Sequence, residues 1–140
     1  MIKPITIAEV KHIAYELAKK IMSWDEPIPD FNSRYPNVLE SCLATPFMTY
    51  ERKNLYRGLF DKAAILFYLI VKNHPFQNGN KRIAIMTLFS FLAKNNKWLV
   101  IRPELLYNYA VWAAQSPPDA KTEVVQAFSK LIKKYLVQRR

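Results

Sequence analysis

A chain of 140 residues, 51% of them hydrophobic and 14% aromatic, has enough apolar mass to bury a core, which excludes a disordered chain. Its longest apolar run, AAILFYLIV from Ala63 to Val71, falls short of the ~20 residues a membrane span needs, and MIKPITIAEVKH is interrupted by Glu9 and Lys11 before it can form a secretory signal core. The lone cysteine, Cys42, excludes an internal disulfide, so a cytoplasmic protein of one domain, residues 1–140, is expected.

The net charge of +10 points to an anionic partner. Its distribution is more specific than its size. No carboxylate occurs between Asp61 and Glu104, while Lys62, Lys72, Lys81, Arg82, Lys94, Lys97 and Arg102 all fall there.

Two glycines are too few for the tight turns of a sheet protein, and the prolines fall between segments, so the chain reads as all-α. The first helix is expected to start at Thr6, where Thr6-x-x-Glu9 forms a capping box. Val10, Ile13, Ala14, Leu17, Ala18 and Ile21 follow at helical spacing, and the helix ends before Trp24-Asp25-Glu26-Pro27. His12 lies off this stripe and is read as a surface residue. Residues 25–36, DEPIPDFNSRYP, have three prolines and no period, which predicts a loop or short flap. A short helix is predicted over 37–44 with Asn37 as N-cap. A longer one is predicted over 52–72, and a fourth over 80–94 after an intervening loop. Apolar residues surround both on nearly all sides, so these two belong at the centre of the fold. Pro103 opens a fifth helix ending at Gln115. A sixth, over 119–137, buries Val124, Val125, Phe128, Leu131, Ile132, Tyr135 and Leu136. AAILFYLIV also reads as a buried strand before a glycine loop, but the Gly-x-x-x-x-Gly-Lys-Ser/Thr spacing of a phosphate-binding strand–loop–helix unit is missing.

The loop between the two central helices, HPFQNGNKR from His74 to Arg82, is the most polar stretch between the two most apolar ones. At the start of a helix, free backbone N–H groups and the helix dipole favour an anion. Gly79 allows close approach to an oxyanion, Asn78 and Asn80 add amide donors, Lys81 adds a mobile charge and Arg82 a planar fork suited to phosphate. An imidazole such as that of His74 can accept a proton near neutral pH. Pro75 stiffens the turn and Phe76 plugs the loop into the core. These residue types suit transfer of a phosphorus group from a nucleotide to a hydroxyl, where catalysis is mostly positioning and charge neutralisation. The plain alternative is a connecting loop whose histidine caps the preceding helix.

HPFQNGNKR resembles the signature of the Fic/Doc family, His-Pro-Phe-x-Asp/Glu-Gly-Asn-Gly-Arg-x-x-Arg. It is most similar to the Doc branch, the death-on-curing toxins, in which lysine replaces the second glycine and the last arginine is absent. Here Lys81 stands at that glycine and Ile85 at that arginine. LESCLATP, DKAAILFYLIVKN and FLAKNNKW are similar to Doc segments too. The resemblance implies a compact Fic/Doc-like bundle of about six helices with a short flap over residues 28–37 that receives the target segment by strand addition. It implies His74 as catalytic base, with Lys81 and Arg82 in the catalytic set. Asn78, Gly79, Asn80, Lys81 and Arg82 would bind the phosphates of ATP, and Asn78 would stand at the position of an acidic magnesium ligand. It further implies a toxin with a small antitoxin partner and no membrane or nucleic-acid partner. The expected reaction is phosphate transfer to a translation factor such as elongation factor Tu. AMP transfer to a protein hydroxyl remains an alternative, as does a degenerate module that binds nucleotide or protein without chemistry. A nucleic-acid binder, resting on the charge alone, is a third. The sequence departs from the family pattern in the neutral Asn78 and in lacking the self-inhibitory Ser/Thr-x-x-x-Glu-Gly/Asn element.

Overall fold

The computed structural model describes residues 1–21 and 27–138. Trp24, Asp25 and Glu26, expected to link the first helix to the flap, lie outside the described residues. The first helical run, α1, is an α-turn Ile7–Glu9, a π-helical segment Val10–Tyr15 and an α-turn Glu16–Ala18. The capping box forms: Glu9 N–H donates to Thr6 Oγ1 at 3.2 Å and Thr6 N–H to Glu9 Oε1 at 3.0 Å. The π winding corrects the expected apolar stripe. Its i→i+5 bonds add residues to each turn, which rotates the side chains out of α phase. Val10, Ala14, Tyr15 and Ala18 are buried, whereas Ile13 and Leu17 are 46% and 39% exposed. Those two line a surface groove of about 380 Å³ with Ile5, Met86, Phe89 and Trp98.

Helix α2, Val38–Ala44, begins after Asn37, but no side-chain cap forms there. Asn37 serves instead as a left-handed residue, φ 66°, which asparagine tolerates. The next expected helix starts later than Arg52. Residues 49–54 form a hairpin of β1, Thr49–Tyr50, and β2, Lys53–Asn54, with Tyr50 opposite Lys53. Glu51 and Arg52 turn the chain with φ 50° and 67°, as a primed hairpin turn requires. Lys62 is buried beneath the segments flanking this hairpin. Its Nζ donates to the carbonyls of Pro46 (2.9 Å) and Tyr56 (2.7 Å) and lies 4.8 Å from the Phe47 ring centroid. Burial pushes its pKa down, against the pull of Asp61.

Helices α3, Gly58–Asn73, and α4, Asn80–Lys94, form the centre. Ala63–Val71 is therefore helical, and the strand alternative fails. Every residue from Lys62 to Val71 is buried, because α2, the 3₁₀ turn Thr45–Phe47 and the later helices pack around α3. Helix α5, Pro103–Gln115, starts at its proline, and α6, Lys121–Tyr135, follows a 3₁₀ turn at Pro118–Ala120. Val124, Phe128, Leu131 and Ile132 of α6 are buried, with Val125, Tyr135 and Leu136 partly so. The final helix stops short of Val137: strand β4, Leu136–Gln138, pairs antiparallel with β3, Lys97–Leu99. The backbone edge beyond α4 thus redirects a segment that reads as helical. Among the described residues, the all-α fold has six helices and two two-stranded sheets, and no helix is long and apolar enough to cross a membrane.

Charged side chains tie these layers together. Lys94 Nζ on α4 contacts Glu9 Oε1 at 2.6 Å and the Pro4 carbonyl at 2.8 Å. Burial alone would raise the Glu9 pKa, but hydrogen bonds from Lys94 and Thr6 outweigh it and hold the carboxyl below its ordinary value. The stability this lends is present above the usual carboxylate range and is lost as pH falls through the lowered value.

Phe128 is fully buried, with its ring centroid 4.8 Å from that of Phe67 and 6.0 Å from that of Tyr109. Phe128→Ala is expected to lower unfolding free energy by about 3–5 kcal/mol in a denaturant titration. Cys42 is fully buried, and burial pushes its thiol up to about 11. The native thiol should resist a disulfide reagent at about pH 8 and react only under unfolding conditions.

Candidate active site

The site is built where α3 gives way to α4. An α-helix that must stop needs its last carbonyls met and its chain turned, and a left-handed residue does this. Here that residue is His74, at φ 49° and ψ 65°, a conformation usually left to glycine. The turn exposes the imidazole. Pro75 and Phe76 follow, both buried. Phe76 packs its ring 6.1 Å from Tyr15 and 5.6 Å from Phe31, so the loop is plugged into the core as expected from the sequence.

Asn80 closes the loop. Its Oδ1 accepts from Phe76 N–H at 2.9 Å, and its Nδ2 donates to the Phe76 carbonyl at 2.8 Å. These two bonds fix which end of the amide is which, because only oxygen can accept and only nitrogen can donate. Nδ2 also lies 3.5 Å from His74 Nδ1. Asn80 therefore faces Nδ1 of the ring with the donor end of its amide. The sequence reading gave Asn80 to the phosphates, but its amide groups are directed to the loop backbone and the histidine.

Gly79, at φ 79°, is the N-cap of α4, and no side chain caps the first turn. The first intrahelical bond runs from Ile83 N–H to the Gly79 carbonyl at 3.0 Å. The N–H groups of Asn80 and Lys81 precede it, at the end of the helix where the ladder has no carbonyl to offer. Asn78, Gly79, Asn80, Lys81, Arg82 and Tyr107 line one small cavity of about 40 Å³ at this end of the helix. Arg82 is only 2% exposed. The structure thus gathers residues 78–82 on one cavity. His74 is outside the cavity lining and is linked to it through Asn80. Tyr107, on α5, has no local mark in the sequence, since the same helix also carries Tyr109.

The segment before the flap reaches the same place. Asn78 Nδ2 donates to the Pro27 carbonyl at 3.0 Å, and Asn78 Oδ1 accepts from Gly79 N–H at 2.8 Å. Within the flap, residues 31–33 form a 3₁₀ turn in place of an extended edge, and Tyr35 N–H donates to the Pro75 carbonyl at 2.9 Å.

The donors at the start of α4, with Lys81 and Arg82, fit the charge of a phosphate group. Among the described residues no group of three or more His, Cys, Asp and Glu could hold a metal, and the Asn78 side-chain oxygen accepts from Gly79 N–H with one of its two lone pairs.

The Fic/DOC family profile matches residues 4–92, which takes in α1 to α3, the whole loop and α4 up to Leu92. The chain belongs to the Fic/DOC family. A relative, Toxin Doc of Mycolicibacterium smegmatis (strain ATCC 700084 / mc(2)155), is 36% identical over 58 residues. That alignment covers 41% of this chain and 45% of the relative, so the chain spans less than half of that protein. No solved structure matches the chain.

Asn80→Ala removes both bonds to the Phe76 backbone and leaves a buried N–H and C=O without their partner. A loss of about 1–3 kcal/mol in unfolding free energy is expected from a denaturant titration.

Proposed function

We propose that this Fic/DOC chain is the toxin of a toxin–antitoxin pair, a transferase that moves a phosphoryl group from a nucleoside triphosphate to a hydroxyl of a target protein. The observation that supports it most is the loop from His74 to Arg82. It sets an exposed imidazole, turned by Asn80, beside an uncapped helix start that carries Lys81 and Arg82.

In this reading His74 takes the proton of the target hydroxyl on the ring nitrogen that carries no hydrogen. The hydroxyl oxygen bonds to the γ-phosphorus, and the bond to the bridging oxygen breaks, releasing the nucleoside diphosphate. Lys81, Arg82 and the backbone donors at the start of α4 meet the phosphate charge. Lys81, standing where most of the family has glycine, favours phosphate transfer over AMP transfer. Attack at the α-phosphorus, with release of pyrophosphate, is the second reading. A translation factor such as elongation factor Tu is the proposed target. A small antitoxin is the proposed restraint, because the chain lacks the family's self-inhibitory element.

The test uses ATP labelled at the γ or the α position, supplied with magnesium and a candidate translation factor. Label on the target from γ only is expected, with His74→Ala lowering the rate by about 10²–10⁴-fold. Label from α only selects AMP transfer. Nucleotide bound with no label transferred, and no change on His74→Ala, overturns the enzyme in favour of a binding module.

A further inference from the structure

The chain lies across its own phosphate-binding loop. Pro27 and Ile28 rest on Asn78 and Gly79. A Cβ built on Gly79 would stand 2.6 Å from Ile28 Cγ1, so the isoleucine covers the one glycine that lets a ligand approach the backbone. The cavity left at the helix start is small, about 40 Å³. The rest of the segment is firmly seated: Tyr15 Oη donates to the Pro29 carbonyl, Phe31 is 3% exposed against Tyr15 and Phe76, and Tyr35 N–H reaches the Pro75 carbonyl.

Asn78 makes both ends of the contact. Its nitrogen donates to the Pro27 carbonyl and its oxygen accepts the Gly79 N–H, a backbone donor of the kind a phosphate oxygen would otherwise use. A carboxylate at 78 could still accept from Gly79. It could not donate to Pro27, and it would face that carbonyl with like charge. The amide is the side chain of this size that does both.

We infer that residues 27–29 are a latch, held by the Asn78 amide and by Ile28 on Gly79, that must lift before a nucleotide can reach the start of α4. The inference rests on the phosphate-binding reading of this loop. Ile28 is half-buried and touches no reacting group, so it can be changed without removing phosphate donors.

The test compares the full wild-type chain with Ile28→Ala and Asn78→Asp, with Ile28→Val as the milder variant should Ile28→Ala fail to fold. Amide exchange at Ile28, Asp30 and Gly79 is followed by NMR without nucleotide, and ADP and a non-hydrolysable ATP analogue are titrated calorimetrically. In Ile28→Ala, exchange at these amides and nucleotide affinity should both rise, each by roughly tenfold, the scale of one lost hydrogen bond or a few buried methyl groups. Asn78→Asp should raise exchange at Ile28 and Asp30 in the same way. Nucleotide bound with wild-type affinity by Ile28→Ala, with exchange unchanged, overturns the latch and leaves the phosphate-binding reading standing. No nucleotide bound by any form overturns both.

Discussion

The site depends on one buried amide. Asn80 sits in the first turn of α4 and bonds back to both polar groups of the Phe76 backbone, at 2.9 and 2.8 Å. Without that pair, the loop of residues 75–79 would have buried backbone groups with no partner, which is costly in a core. With it, the loop has a fixed shape, Phe76 stays seated against Tyr15 and Phe31, and the amide's remaining hydrogen faces His74. In the proposed function, folding and chemistry are coupled at one side chain: the residue that closes the loop also faces Nδ1 of the imidazole.

The charge of the chain acquires a different meaning once the fold is known. The carboxylate-free interval suggested a field built for an anion. Three of its cations work inside the protein instead. Lys62 bridges two carbonyls below the hairpin, Lys72 meets the Ala114 and Ser116 carbonyls at the end of α5, and Lys94 ties α1 to α4. Each satisfies backbone oxygens that helix ends and turns leave over. Lys81 and Arg82 are the two that line the cavity at the start of α4. The positive surplus is thus partly structural, and the part aimed at a ligand is local.

The helices and their central pair were legible because burial imposes a period on side chains, and Pro103 and the Thr6–Glu9 box mark ends with chemistry of their own. Features set by the backbone were not. The π segment leaves no residue signature, so Ile13 and Leu17 read as core while Tyr15 was passed over. Glu51 and Arg52 take up a turn that usually selects asparagine and glycine, so the expected helix starts at Arg52 and runs over the second strand of the hairpin. In the site, the motif residues could be named, but their partners could not. That Asn80 faces Phe76, or that Ile28 meets Gly79, follows from contacts between segments far apart in the chain, and local spacing carries no record of them.

His74 occupies a backbone conformation in which a side chain with a Cβ is disfavoured by roughly 1 kcal/mol or more. Thermodynamic fitness alone would give the position to glycine, and such a chain would tolerate heat better while having no imidazole to offer. In the proposed function a histidine there concedes stability to reactivity, and screens that select only for robustness should drift away from it.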